Sequence, residues 1–320
     1  MTTRQDMALG EKLYHAKVLL FGEYGIIKDS MGLSIPYDFY KGALVLPEGE
    51  PDATARQSNE HIARFAQYLE TLHQDPTFEA HIDTGSLRRD VEAGLYFDSS
   101  IPLGYGVGSS GALVAAIYER YASPRKKPEE LTTEDIVRLK GILGKMESFF
   151  HGHSSGLDPL ICYMNLPILV RPHGAIDPVG IPASNAQGAG AIFLLDSGMQ
   201  HATGKLIDIF FEKMKNEGFR KMLREEFGAL NDACIQAFIE GRKKSLLENV
   251  RALSQVVLTH FSPMIPRSLR KIWLDGLQTD TYYLKLCGAG GGGFVLGFTD
   301  DYRKAARMLR GYATQPIYRF

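Results

Sequence analysis

Gly104, Gly106 and Gly108, followed directly by Ser109 and Ser110 in the stretch PLGYGVGSSGA, are the first residues suited to chemistry. Glycine lets a backbone turn tightly and bring its N–H groups close to a ligand. The apolar run ALVAAIYERYA at 112–122 reads as a helix, so unpaired N–H groups and a positive dipole end would face the same spot. Two hydroxyls at its mouth are suited to a phosphate oxygen or Mg²⁺. A glycine turn with a serine N-cap is the plain alternative. No lysine follows the glycines, so this is not a Walker A loop.

Two carboxylates form the second group, in ESFFHGHSSGLDPL at 147–160. Glu147 borders a helical stripe of Ile136, Leu139, Leu143, Met146 and Phe150, spaced 3, 4, 3 and 4 residues apart. Asp158 follows on what reads as a loop. One carboxylate could hold a metal while the other takes a proton; a helix C-cap with an Asx-type turn explains the same residues without function. The stretch also contains GHSSG, a G-x-S-x-G pattern with Ser154 as nucleophile and with Asp196 and His260 in hydrolase order. That elbow requires a preceding strand, and the spacing says helix. His151, His153 and Asp158 as a metal site would need a fuller ligand set. Lys17 interrupts the apolar strand AKVLLF, either as a solvated edge residue or as a cation facing Asp158 or a phosphate.

The third group is CGAGGGGF, which contains G-x-G-x-x-G at Gly288, Gly290 and Gly293. A dinucleotide site needs a helix next, and FVLGF reads as a strand. A hairpin that brings backbone close to a ligand or to another backbone is what remains.

The elements that must position these groups follow from patterning. Strands are expected at 16–21, 42–46, 191–196, 282–287 and 294–298, and helices at 61–72, 112–122 and around 136–151. A run of helices covers 205–260, and PEGEPDATARQSNE at 47–60 reads as a surface loop. The shift to a long helical run predicts an α/β (α+β) protein with a boundary near 185, dividing it into domains 1–185 and 186–320. Hydrophobic residues are 44% and charged residues 23%, which excludes disorder, collagen and a coiled coil. With 36 basic and 37 acidic residues the net charge is −1, which gives no electrostatic reason to expect nucleic acid or a membrane surface as partner. Three scattered cysteines make no disulfide framework. No secretory leader is legible and LICYMNLPILV is too short to span a bilayer, so a cytoplasmic location is expected.

Together, AKVLLFGEYGII at 16–27, PLGYGVGSSGA at 102–112, KLCGAGGGGFV at 285–295 and E-x3-HG-x-x-SG-x-D at 147–158 resemble the GHMP kinase superfamily, the last segment most like its mevalonate kinases. The resemblance implies an N-terminal ribosomal-protein-S5-like α/β domain that binds ATP and a C-terminal ferredoxin-like domain. It implies ATP and Mg²⁺ as cofactors, a small-molecule alcohol as substrate, and phosphorylation of mevalonate to 5-phosphomevalonate. Phosphomevalonate kinase or another GHMP kinase is the alternative, and a homodimer is admitted. Residue by residue, it makes Asp158 the catalytic base and Lys17 its partner. Ser110 and Glu147 become metal ligands. Gly104, Gly106, Gly108, Ser109, Ser110, Gly111, Thr203 and Gly290 fall on the nucleotide, and Glu23, Tyr24 and Gly288 on the acceptor side. Four positions depart from the pattern: Tyr24 stands for a usual His, Gly111 for Ala, Ser154 for Pro and Pro159 for Asn.

Overall fold

The computed structural model describes residues 12–25, 30–199 and 203–320, with the side chains of 203–205 excepted. Ile26 and Ile27, which close the first motif, lie outside the described residues. Along the chain come β1 (Tyr14–Phe21), β2 (Gly32–Val45), α1 (Ala53–Leu72), α2 (Thr84–Glu92), β3 (Tyr96–Ser99), α3 (Ser109–Tyr121), α4 (Thr133–His151) and α5 (Leu157–Met164). β4 (Ile168–Val170), β5 (Ile176–Pro178), β6 (Ala191–Asp196), α6 (Thr203–Met214), α7 (Glu217–Met222), α8 (Gly228–Ile239), α9 (Lys243–His260) and α10 (Arg270–Thr279) follow. β7 (Tyr283–Leu286), β8 (Phe294–Thr299), α11 (Tyr302–Met308) and β9 (Thr314–Arg319) complete the order. The expected mixture of α and β is therefore present.

The chain forms two compact units. Among the described residues, the first holds 12–17, Pro36–Pro102 and Val107–Leu166. Its centre is α3, where Ala112–Tyr118 are all buried, as expected for a helix apolar on every side. α4 and α5 pack against α3, and α1 packs against α4. Ile136, Leu139, Leu143 and Met146 of α4 turn inward as their spacing predicts, and Ile62, Phe65 and Leu69 of α1 do the same. α1 begins at Ala53, inside the stretch read from sequence as a loop. Its first two turns face water and bury only Ala55, so no apolar period marks them; the Asp52 carboxylate instead caps the start by accepting from Ala55 N at 2.8 Å. In the same unit the outer end of β2 pairs antiparallel with β3, Gly42 opposite Ser99 to Val45 opposite Tyr96.

Among the described residues, the second unit holds 18–25, 30–35, Leu103–Gly106, 167–199 and 203–320. Its main sheet is antiparallel with order β7-β8-β6-β9, β6 pairing β8 from Ala191 opposite Thr299 to Asp196 opposite Phe294. The succession β6, helices, β7, β8, α11, β9 is a β-α-β-β-α-β arrangement with a long helical insertion after its first strand. Leu246, Val250, Leu253 and Val257 of α9 form the buried stripe read from sequence. A second sheet, order β1-β2-β4-β5 with β3 on β2, draws on strands β1 and β2 that contribute residues to both units. Among the described residues no helix is long and apolar enough to cross a membrane.

Candidate active site

In the first unit the glycine loop ends where α3 begins. Gly108 caps the helix in a left-handed conformation, φ 82°, which a side chain would strain. A Cβ there would also press on the Lys17 side chain, 2.8 Å from its Cγ. The Lys17 backbone N–H donates to Val107 O at 3.0 Å, so β1 delivers the lysine beside the helix start. Lys17 is buried, and its ammonium lies 2.8 Å from Asp158 Oδ2. The Asp158 side chain keeps 38% exposure, so one end of this pair reaches solvent.

Asp158 is not on a loop, as its sequence context suggested, but in the first turn of α5 after Gly156 at φ 75°. A proline is tolerated that early in a helix, and Pro159 sits there. α5 lies against the first turn of α3: a Cβ on Gly111 would stand 2.9 Å from the Asp158 carbonyl carbon and from Pro159 N. Alanine, usual at that position in the resembling family, would require a shift.

Glu147 projects from the last turns of α4 and is only 3% exposed. Ser110 Oγ donates to its Oε1 at 2.8 Å, and Ser154 Oγ donates to its Oε2. Burial, followed by the Asp158 charge, pushes the Glu147 carboxyl up to about 7, against the opposing pull of the two hydroxyls and Lys17. His151, one turn on from Glu147, places Nε2 3.0 Å from Ser110 Oγ. With Ser110 giving its one proton to an ionised Glu147, its oxygen accepts and the Nε2–H tautomer of His151 completes the contact. Burial holds this imidazole below the usual histidine range. Cys162 lines the same region with its thiol pushed up by burial, a packing sulfur rather than a nucleophile.

Lys17, Gly108, Ser109, Ser110, Gly111, Glu147 and Asp158 therefore all belong to this unit and stand around the start of α3. Gly104, Gly106, Gly288, Gly290, Glu23 and Tyr24 belong to the second. There, a Cβ on Gly293 would stand 2.9 Å from Tyr105 Cα, and the Tyr105 ring packs edge-on against Phe294 at 4.9 Å. The glycine run permits this close approach of the 103–106 backbone. Its second purpose is internal as well: a Cβ on Gly290 would stand 2.6 Å from Met264 O. β8 follows the run, as the strand reading required. Glu23 is ion-paired with Lys285, both of them buried, and Tyr24 O–H donates to Ala289 O at 2.6 Å. The backbone of Thr203 opens α6, while its side chain lies outside the described residues.

The rival chemistries fail on the same geometry. Ser154 follows a helix and hands its proton to Glu147, which is not the setting of a hydrolase nucleophile. Among the described residues no cluster of three or more His, Cys, Asp or Glu side chains is placed to hold a metal. Three participants were not read from sequence as partners. His151 was legible in principle, four residues from Glu147 on one helix face. Lys285 carried the same signal as Lys17, a lysine inside an apolar strand. Ser154 gave no local signal, because it reaches Glu147 only when the loop folds back.

Residues 60–165 match the family described as GHMP kinases N terminal domain. No curated protein matches the chain. Its fold is similar to that of L. major mevalonate kinase in complex with R-mevalonate, with TM-score 0.61, 17% identity and 96% of each chain covered. It is also similar to Streptococcus pneumoniae phosphomevalonate kinase in complex with phosphomevalonate and AMPPNP, with TM-score 0.62, 13% identity, and 96% of this chain and 99% of that one covered. Lactococcus lactis galactokinase complexed with galactose aligns with TM-score 0.60, 12% identity, and 96% and 92% coverage. At these identities the likeness is one of fold.

Proposed function

We propose, from the match of residues 60–165 to the GHMP kinases N terminal domain family and from the likeness of fold to mevalonate kinase, that the chain is an ATP-dependent kinase that phosphorylates the primary hydroxyl of mevalonate. The observation that supports this most is the half-open Lys17–Asp158 pair set against the first turn of α3. The glycine loop and the N–H groups opening α3 hold the phosphates of ATP, through Gly104, Gly106, Gly108, Ser109 and Gly111. The family resemblance also assigns Gly290 and Thr203, within the proposed C-terminal domain 186–320, to the nucleotide. Asp158, whose side chain is partly exposed, accepts the proton of the acceptor hydroxyl. Lys17 fixes that carboxylate and offsets the negative charge gathering beside it. Catalysis of this kind is mostly positioning and electrostatics.

The donor set fits Mg²⁺. Lys17 pairs with Asp158, while the Glu147 carboxyl is held by two hydroxyls and has no ion-pair partner of its own, and every candidate ligand is a hard oxygen. Ser110 and Glu147 would hold the ion, which when bound neutralises charge on the β- and γ-phosphates. The family resemblance assigns Glu23, Tyr24 and Gly288 to the acceptor, and in this chain the polar atoms of Glu23 and Tyr24 are turned to Lys285 and Ala289.

A second reading, phosphomevalonate kinase or a kinase of another alcohol, is favoured by Tyr24. It replaces the usual histidine and directs its hydroxyl to backbone. ADP release measured against mevalonate, phosphomevalonate, homoserine and galactose separates the two. Turnover with mevalonate is expected. Turnover with phosphomevalonate alone transfers the assignment to the second reading, and turnover with none of the four defeats both.

A further inference from the structure

Ser154 holds the second oxygen of Glu147, and no role in the reaction has been given to it. Its hydroxyl oxygen accepts from Gly156 N–H at 3.0 Å, which fixes its direction, and its single proton goes to Glu147 Oε2. The platform is closely packed. A Cβ on Gly144 would stand 3.1 Å from Ser154 O and from Gly156 N, and one on Gly156 would collide with the backbone of α4 at Lys140 and Gly144. Two glycines thus let the 152–157 loop lie directly on the helix that carries Glu147. Each carboxylate oxygen receives one hydroxyl proton, Oε1 from Ser110 and Oε2 from Ser154. The proline usual at 154 in the resembling family has no hydroxyl and cannot do this.

Resting on the metal reading above, we propose that Ser154 is a positioning residue that restricts Glu147 to one-oxygen ligation and so biases the site toward Mg²⁺ over Ca²⁺. Mg²⁺ demands near-ideal octahedral geometry and is content with single-oxygen carboxylate ligands. Ca²⁺ takes six to eight oxygens and profits from bidentate carboxylates. With Oε2 engaged by Ser154, which is not a proposed ligand, Glu147 turns toward the ion the oxygen it shares with its proposed co-ligand Ser110. Released from Ser154, it can swing to present both oxygens, which loosens the fit for the smaller ion and improves it for the larger. Outer partners of metal ligands commonly change affinity by about 10–100-fold when removed.

The test is Mn²⁺ binding to the complex of the full chain with AMPPNP, read by electron paramagnetic resonance, with Mg²⁺ and Ca²⁺ as competitors. No turnover is involved. Ser154→Ala is expected to weaken Mn²⁺ by about tenfold and to move the Ca²⁺/Mg²⁺ competition ratio toward Ca²⁺ by a similar factor. Ser154→Thr, which keeps the hydroxyl, restores both. A merely structural serine would lower the melting temperature without moving the ratio. A wild-type ratio in Ser154→Ala, while Glu147→Gln still weakens Mn²⁺, overturns the role of Ser154 and leaves the metal reading standing. Unchanged Mn²⁺ binding in Glu147→Gln overturns the metal reading itself.

Discussion

Two lysine–carboxylate pairs, one in each unit, are made from the same side chains and differ in what surrounds them. Lys17 and Lys285 both interrupt apolar strands, β1 and β7, and both are buried. The partner of Lys17, Asp158, keeps 38% of its side chain exposed, whereas Glu23 and Lys285 are 2% and 0% exposed. Glu23 Oε1 has no hydrogen-bond partner among the described residues, and burial, opposed by Lys285, raises its carboxyl above the usual range. An ion pair that opens on one side can exchange its partner for a substrate hydroxyl. A sealed pair can exchange nothing, and its charges matter to folding because neither tolerates losing the other.

The contrast breaks most visibly at the sealed pair. Lys285→Met strands the Glu23 carboxylate and should cost about 3–5 kcal/mol in urea denaturation, while Glu23→Leu combined with Lys285→Met should recover most of that loss. A single-variant loss below about 1 kcal/mol would place this pair in contact with water, contrary to its burial.

The open pair should behave in the opposite way. With Asp158 as the proposed base, Asp158→Asn should lower kcat by ~10²-fold or more and leave ATP binding largely intact. Its cost in stability should stay below that of Lys285→Met, because asparagine keeps an oxygen for Lys17 and that end of the pair is wet. Near wild-type turnover in this variant would remove Asp158 from the mechanism.

Much of the first unit was legible because each motif there sets one polar residue against a clear apolar rhythm. The 3-4-3-4 stripe of α4 put Glu147 beside the core, and the glycines before Ser109 marked the start of α3. What resisted reading depends on distant backbone. The fold-back of Ser154 onto Glu147 requires Gly144 and Gly156 to meet, and nothing local to either predicts it. Asp158 was read onto a loop because Gly156 and Pro159 both look like chain breakers, although at a helix start they are compatible with the first turn. β4 and β5, three residues each, are too short to show a period.

A third difference concerns protons. In the metal-free, nucleotide-free protein, Glu147 holds its proton to about 7 instead of 4.5. The folded chain therefore binds that proton more tightly than the unfolded chain does. The stability this contributes is complete below pH 4.5 and is lost as pH rises through about 7, with a size on the order of 3 kcal/mol. Glu147→Gln, which mimics the protonated form, should flatten stability across that window. A slope unchanged in this variant would mean that Glu147 titrates normally.

The smallest expected effect lies beside the sealed pair, at Tyr24. It adopts a left-handed backbone conformation, φ 58°, that non-glycine residues seldom take and that neighbouring structure must enforce. Part of that enforcement is visible: its ring packs on Phe210 at 4.6 Å and on Phe261 at 5.7 Å, and its hydroxyl is held by Ala289 O. Tyr24→Phe keeps the ring contacts and removes one hydrogen bond, so it should cost about 1 kcal/mol in stability and leave the acceptor KM unchanged. If instead the melting temperature holds and the acceptor KM rises about tenfold, a loss of about 1.4 kcal/mol in binding, then the hydroxyl faces substrate during turnover. The wall of the second unit would then open as the Asp158 pair does.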